Sequence, residues 1–367
     1  MILERVARTS SFPGVGVRIL LIGTHLPHFA GSRSVAEAMA ERLERRGFDL
    51  CLTSRVRSRA GRVIDILFTT WARRNKYDVA HVDVYSGAAF RWAEWVVALI
   101  RANRKPYVLT LRGGNLPAFA RKHPRRVARL LADAAAVTAP SAYLAEALRA
   151  FKSDIRIIPN PISLEAYSYS ERDSPRSRLV WLRAFHRIYD PRLAVEVLAK
   201  VAGGEKDAHL TMIGPDKDGS LSAVRANAQQ LGVLNNVQFT GGVPKSAIPA
   251  LLSAGDIFLN TATIDNAPVS VLEAMATGLI VISTSVGGIP YLIHDGREGL
   301  LVPPGDSEAM ANAVRRVLYE PGLARRLSRG AHSRAQSFGW DAVLPQWEEL
   351  FLETARNAPS RHARISS

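Results

Sequence analysis

Short apolar runs rich in Val, Ile and Leu recur along the chain and alternate with longer stretches whose apolar residues fall at helical spacing. In the first half, RILLIG (Arg18 to Gly23), FDLCLT (Phe48 to Thr53), DVAHVDV (Asp78 to Val84), YVLTLR (Tyr107 to Arg112), AAVTAP and IRIIPN predict strands. Helices such as SVAEAMAERLERRG, ending at Gly47, and AFRWAEWVVALIRA lie between them. The second of these is apolar enough to be core, with Trp92 and Trp95 in it. From Tyr167 to Arg176 the sequence turns polar and irregular (YSYSERDSPR) and predicts a linker. The alternation then restarts with RLVWLR, a helix through LAVEVLAKV, HLTMIG, a helix, NVQFTG, DIFLN, a helix and IVIST. A last helix is expected over Trp340 to Arg356, and the tail APSRHARISS, without an apolar pattern, is expected to be disordered. Strands alternating with helices predict an α/β fold built on parallel sheets with crossover helices.

Length and charge sharpen this picture. At 367 residues the chain exceeds one ordinary core and fits two domains. A single cysteine, Cys51, excludes an intrachain disulfide framework. The opening MILERVARTSSFPGVG lacks the apolar segment of a signal peptide, and no apolar run approaches the roughly 20 residues that span a bilayer. The expectation is a cytoplasmic protein, at most peripheral on the inner face of the membrane. The net charge of +15 is unevenly spread. Residues 1–165 hold 27 Lys and Arg against 13 Asp and Glu, whereas the rest of the chain is nearly balanced. A basic half of this kind attracts nucleic acid, anionic lipid or a phosphorylated substrate. Aromatics make up only 7% of the chain and few stand in the basic segments, which disfavours nucleic acid.

There is no P-loop, HExxH, CxxC pair or GxSxG elbow, and Gly14-Val-Gly16 precedes the first strand instead of following it. These absences count against an NTPase, a zinc hydrolase, an esterase and an ordinary dehydrogenase, and no metal is expected. The informative stretch is Asp256 to Asp306, DIFLNTATIDNAPVSVLEAMATGLIVISTSVGGIPYLIHDGREGLLVPPGD. A buried strand ends in a polar loop, and a helix is expected to begin at Pro268, a residue suited to a first helical turn. The amides around Val269 to Val271 would offer a diphosphate site, with Asn266 and Ser270 beside them. Asp265 in the loop and Glu273 eight residues on would flank that site with carboxylates able to accept from ribose and sugar hydroxyls.

Here the chain resembles the family 4 glycosyltransferases of the GT-B fold. The match lies in Asp265, Glu273-Ala274-Met275-Ala276-Thr277-Gly278, Gly287-Gly288-Ile289-Pro290 and Gly299 to Asp306. It extends to Ile158-Pro159-Asn160-Pro161, Gly214-Pro215 and Gly241-Gly242-Val243-Pro244. The resemblance implies two Rossmann-like domains facing each other across a cleft. The first would be an acceptor-side domain, 1–165, and the second a nucleotide-sugar domain, 166–339. A helix over 340–357 would return to the first domain, leaving a tail at 358–367. By the resemblance Glu273 holds the ribose, Asp265 faces the donor sugar, and Val243 and Pro244 line the nucleobase pocket with Gly214 nearby. Arg183 would grip the leaving diphosphate. Leu182 replaces the family's glycine before it, and no Lys follows at the family's place, so Arg187 becomes the second cation. The reaction implied is retaining and metal-independent. It moves a hexosyl group from a UDP- or GDP-sugar, with no other cofactor, to a glycan or lipid-linked acceptor in cell-envelope or exopolysaccharide synthesis. Two rivals remain: a GT-B nucleotide-sugar epimerase and a basic nucleic-acid-binding protein.

On the acceptor side, Gly31 and Ser32 follow the first strand, where a close approach to substrate and a plain turn are both open. His25 and His28 precede them in the same loop. Arg112 stands where relatives carry a histidine and suggests an anionic acceptor. Tyr291 replaces a family Glu after Gly-Gly-Ile-Pro. The stretch FARKHPRRVARLL, Phe119 to Leu131, mixes Arg121, Lys122, Arg125, Arg126 and Arg129 with apolar residues. It reads equally as a membrane-surface element or as an ordinary helix docked on the sheet.

Overall fold

The structure is a computed structural model that describes residues 16–23, 35–54, 56 and 58–357. Its first six strands are β1 (Arg18–Ile22), β2 (Asp49–Leu52), β3 (Val79–Val84), β4 (Tyr107–Leu111), β5 (Ala136–Ala139) and β6 (Ile155–Ile157). Between them run α1 (Val35–Arg45), α2 (Arg59–Ala72), α3 (Ala88–Ala102), α4 (Leu116–Lys122), α5 (Pro124–Leu131) and α6 (Ala142–Leu148). The second set of strands is β7 (Arg178–Leu182), β8 (His209–Ile213), β9 (Val237–Gly241), β10 (Ile257–Asn260), β11 (Ile280–Thr284) and β12 (Leu300–Val302). Its helices are α7 (Pro191–Ala202), α8 (Ser220–Gln230), α9 (Ile248–Ser253), α10 (Val269–Thr277), α11 (Ile289–Leu292), α12 (Ser307–Tyr319), α13 (Leu323–Gln336) and α14 (Trp340–Arg356).

Every strand pairing is parallel, in the orders β2-β1-β3-β4-β5-β6 and β12-β11-β10-β7-β8-β9. Strand order reverses between β1 and β3 in one sheet and between β7 and β10 in the other. In open parallel sheets the ligand crevice lies outside the strand ends at such a switch point. Apolar side chains fill both faces of each sheet. That is why the strands read as unbroken hydrophobic runs.

The last helix belongs to the first domain. Trp340, Val343, Trp347 and Phe351 of α14 pack with Ile19 and Leu21 of β1. The Trp347 ring meets His81 of β3 edge-on, centroids 5.3 Å apart. The chain therefore crosses between domains twice, and the two crossings touch. Ile162 and Gly339 pair as a parallel bridge, and the Ile162 N–H donates to the Phe338 carbonyl at 2.9 Å.

Several local expectations need correction. The linker over 167–176 is irregular but not loose. Arg172 is buried, ion-paired with Asp256 at 3.2 Å, and donates to the carbonyls of Ser253 and Gly255. The basic stretch Phe119 to Leu131 forms two helices broken at His123, because proline disfavours a helical residue before it. Within it, Arg126 forms a two-pronged pair with Glu94 at 2.9 and 2.6 Å and lies over the Phe90 and Phe119 rings. Its charge is spent inside the fold. Trp95, expected in the core, is exposed; α3 buries Phe90, Ala93, Val96, Val97 and Ile100 instead. Pro268 caps α10 rather than opening it, and the short strand β12 was not foreseen. The tail 358–367 and the loop with His25, His28, Gly31 and Ser32 lie outside the described residues.

Truncating Trp347 tests the return of α14. Trp347→Ala removes a buried ring from the first domain's core and should cost about 3–5 kcal/mol. Denaturant unfolding of the variant should show this loss. A midpoint unchanged from the parent would mean that α14 contributes little to that core.

Candidate functional site

A cleft of about 850 Å³ lies between the two switch points. From the first domain it is lined by Gly23, Asp83, Tyr85, Trp92, Arg112 and Asn160, among others. From the second it is lined by Arg183, Tyr189 and the run Ile264 to Ser270. Arg183 leaves the end of β7, where its N–H bonds to the Ile213 carbonyl at 3.0 Å. Gly214, following β8 with φ +147°, closes this corner. A β-carbon on it would lie 1.9 Å from the Arg183 carbonyl oxygen, so only glycine fits.

The guanidinium of Arg183 forms an ion pair with Asp265 and lies over the Tyr189 ring, 4.7 Å from its centroid. Its Nε is buried without a partner. One edge of the cation is thus held by the protein, and the residue lines the cleft. Asp265 also accepts from the N–H of Asn266 at 2.9 Å. The loop bearing both residues is shaped from behind by Gly287 and Gly288. β-Carbons there would stand 2.0 Å from the Asp265 carbonyl oxygen and 1.9 Å from that of Asn266. The Gly288 N–H bonds to the Asp265 carbonyl at 3.1 Å.

Helix α10 begins without a side-chain cap, its first turn toward the cleft. The Val271 amide is already used, donating to the Pro268 carbonyl at 3.2 Å, and its side chain is buried. The donor turn therefore falls on Val269 and Ser270, both of which line the cleft. The Ser270 hydroxyl is buried and has no partner. An uncapped helix start and a guanidinium lining the same cleft can together receive an anion.

Three polar contacts join the domains around this loop. The Ser141 hydroxyl bonds to the Asn266 side-chain oxygen. Asn160 donates to the Ala267 carbonyl at 3.0 Å. Tyr291 reaches Glu146 at 2.6 Å, so this residue serves the interface in place of a donor contact. Arg112 lines the cleft from the first domain, but its charge is met by Asp83 at 3.0 Å, and it donates to Asn160 at 2.6 Å. An acceptor anion would have to displace a carboxylate, so Arg112 acts as a strut from β3 to Asn160.

Glu273 is buried on α10 and ion-paired with Lys245, the residue directly after Pro244. Val243 packs in the same apolar cluster as α10. Glu273, Val243, Pro244 and Gly214 do not themselves line the cleft described above, but stand in the second domain behind it. Arg187, expected as the second cation, is exposed and outside the cleft, its N–H bonded to Asp218 at 2.9 Å. Lys245 stands outside the motif that contains Arg183, and the fold brings it to Glu273. Its position immediately after Gly-Gly-Val-Pro was the available signal.

With this geometry in place, sequence models for two families match the chain: "Glycosyltransferase Family 4" over residues 61–166 and "Glycosyl transferases group 1" over 176–320. The chain belongs to the family 4 glycosyltransferases. Among curated relatives, a D-inositol 3-phosphate glycosyltransferase of Streptomyces bingchenggensis is 29% identical over 167 residues, 46% of this chain and 35% of the relative. An exopolysaccharide phosphotransferase of Streptomyces coelicolor is 31% identical over 46% of this chain and 18% of its own. The match thus spans about a third or less of these relatives. Solved structures share the fold along nearly the whole chain. Sucrose-phosphate synthase of Thermosynechococcus elongatus has a TM-score of 0.78 at 20% identity, covering 92% of this chain and 98% of its own. Anabaena HepE, in complex with UDP and glucose, has a TM-score of 0.72 at 17% identity, covering 92% and 100%. The GT-B fold, with its two Rossmann-like domains, is therefore the architecture of this chain.

Desolvation by burial brings Lys245 down to about 8, from an ordinary lysine value of 10.5. Between those values the unfolded chain holds a proton that the native state has released, so stability should gain from rising pH there. Unfolding free energies of the parent and of Lys245→Met across pH 7 to about 10.5 would isolate this component as a positive slope present only in the parent. Equal slopes would show that Lys245 titrates normally.

Proposed function

We propose that this glycosyltransferase moves a hexosyl group from a UDP- or GDP-sugar to a glycan or lipid-linked acceptor, with retention of configuration and without a metal ion. The observation that carries the reading is the convergence of the Arg183–Asp265 pair with the uncapped start of α10 and the unpartnered Ser270 hydroxyl. Breaking a sugar–phosphate bond places charge on the departing diphosphate. Fixed donors stabilise that charge most when they need no reorganisation. Arg183 is such a donor, because Tyr189 and Asp265 already fix its plane.

Glu273 accepts from the ribose hydroxyls once the ribose enters behind the helix start and displaces Lys245 from it, with Val243 and Pro244 beside the base. Asp265 sets the sugar against the diphosphate and balances Arg183 until the donor arrives. The departing phosphate takes the acceptor's proton on the face it leaves, which retains configuration without a dedicated base. The same fold holds UDP and glucose in Anabaena HepE, which supports a uridine nucleotide first. The exopolysaccharide and inositol-phosphate relatives support an envelope or exopolysaccharide role with a phosphorylated or lipid-linked acceptor. No helix among the described residues is long and apolar enough to cross a membrane, and we place the enzyme at the inner membrane face from the cytoplasm.

Two measurements test this reading. Glu273→Ala should lower transfer by about 10²-fold or more while the protein still folds, the scale expected for one preorganised site group. Near-parental turnover in the purified variant would refute the donor-site assignment. Transfer should also persist in excess EDTA, because Arg183 and the start of α10 supply the neutralising charge. Complete loss, restored by Mg²⁺ or Mn²⁺, would replace this mechanism with a metal-assisted one. Melting shifts with UDP, GDP and ADP would name the base.

A further inference from the structure

The first domain carries an apolar ridge on its outer side. Helices α2 and α3 pack together and turn part of their surfaces to the cleft, with Arg62 and Ile66 from one helix and Trp92, Ala93 and Val96 from the other. Away from it, Ile64 is 68% exposed, Phe68 63% and Trp71 51%, four and then three residues apart on one side of α2. On α3, Trp95 is 52% exposed. The Phe68 and Trp71 rings lie 6.3 Å apart and cover one another rather than the core. Single exposed apolar residues are ordinary. Two tryptophans, a phenylalanine and an isoleucine on adjoining helices are not.

The charge around the ridge is one-sided. From Arg55 to Lys76 the sequence holds seven basic residues and one acid, Asp65. At the C-terminal end of α2, Arg73 and Lys76 are exposed, and Arg74 lies over the Trp71 ring at 4.7 Å. Arg91, one turn before Trp95, is exposed as well. An apolar stripe with aromatics, framed by Arg and Lys, is the composition of a helix that rests in a bilayer interface. A second copy of the chain fits the ridge poorly, since it would bring the same cluster of cations against itself.

We propose that this ridge docks on a bilayer rich in anionic lipid. Ile64, Phe68, Trp71 and Trp95 enter the boundary between headgroups and acyl chains, and Arg73, Arg74, Lys76 and Arg91 meet the lipid phosphates. The same two helices line the acceptor half of the cleft, so docking brings its wall to the membrane surface. The basic helices α4 and α5 play no part in entry, because α5 turns Val127, Leu130 and Leu131 inward and Arg126 is held by Glu94. The docking stands apart from the transfer reading and is measured without donor or acceptor.

Flotation of the full chain with phosphatidylglycerol vesicles and with phosphatidylcholine vesicles tests it. The protein should float with the first and much less with the second, and less as salt rises, because screening shortens the reach of the charges. Ile64→Ser, Phe68→Ser, Trp71→Ser and Trp95→Ser combined should reduce binding at least tenfold. Arg121→Ser, Arg125→Ser and Arg129→Ser combined should leave most of it. Should the first variant melt early, brominated lipid provides a second reading. It should quench the tryptophan emission of the parent, and Trp71→Phe with Trp95→Phe should remove most of that quenching. Absence of flotation with phosphatidylglycerol at low salt, undiminished flotation of a folded ridge variant, or quenching that survives the double Phe variant each overturns the proposal. So does a ridge that binds single-stranded RNA in preference to vesicles, or that buries itself in a dimer.

Discussion

The loop after β10 has no regular structure, and its shape is imposed by a backbone-to-backbone contact that only glycine permits. Gly287 and Gly288 lie against the carbonyls of Asp265 and Asn266 at a distance where any β-carbon would overlap them. From that contact follows the placement of the Asp265 carboxylate against Arg183. The same contact turns Asn266 toward Ser141 and sets the Ala267 carbonyl within reach of Asn160. A charge pair, an uncapped helix start and two interdomain bonds thus rest on one segment. The Gly-Gly-Ile-Pro signature is better explained as the mould for this loop than as a ligand contact.

The ion pairs in the site contribute little net stability. Arg183 and Asp265 are each largely withdrawn from water, as is Glu273 in its pair with Lys245. The cost of removing charges from water roughly cancels their attraction, so replacing a buried pair with apolar residues is often neutral or stabilising. Such pairs persist where charge must be kept ready in a fixed place. Arg183 illustrates the point, with its plane set by Tyr189 and its Nε left without a partner. The helix start makes the same economy, leaving the Ser270 hydroxyl unspent.

Most of the architecture was legible because parallel strands are buried on both faces and stand out as apolar runs. β12 was not, since three residues inside a glycine-rich segment carry no period. An apolar helix reads as core all round, yet Trp95 is exposed. The stripe Phe90, Ala93, Val96, Val97 and Ile100 already completes the helix's inner face and leaves Trp95 off it. Charge was the least legible feature. Arg126 is neutralised by a glutamate 32 residues away and Arg112 by an aspartate 29 residues away. Nothing local in the sequence distinguishes them from free cations. Lys245 failed in the opposite sense, since the fold brings to Glu273 a cation from another loop. Asp265 and Arg183, which meet at the cleft, belong to motifs that are local in the sequence.

Among the described residues, the polar contacts across the cleft are few. Ser141 to Asn266, Asn160 to Ala267 and Glu146 to Tyr291 are three hydrogen bonds. Each is worth about 0.5–1.5 kcal/mol net, so together they contribute only a few kcal/mol. That is within what one bound ligand can offset. The covalent crossings lie at one place, where Ile162 pairs with Gly339, and a rotation there need not disturb either core. Opening breaks the bonds that orient Asn266 and Ala267, the residues between Asp265 and α10. Arg112, held by Asp83, reaches that loop through Asn160. The first-domain wall of the cleft and the loop with Asp265 are thereby joined through side chains in direct contact, and a ligand that orders either one favours the closed arrangement of both.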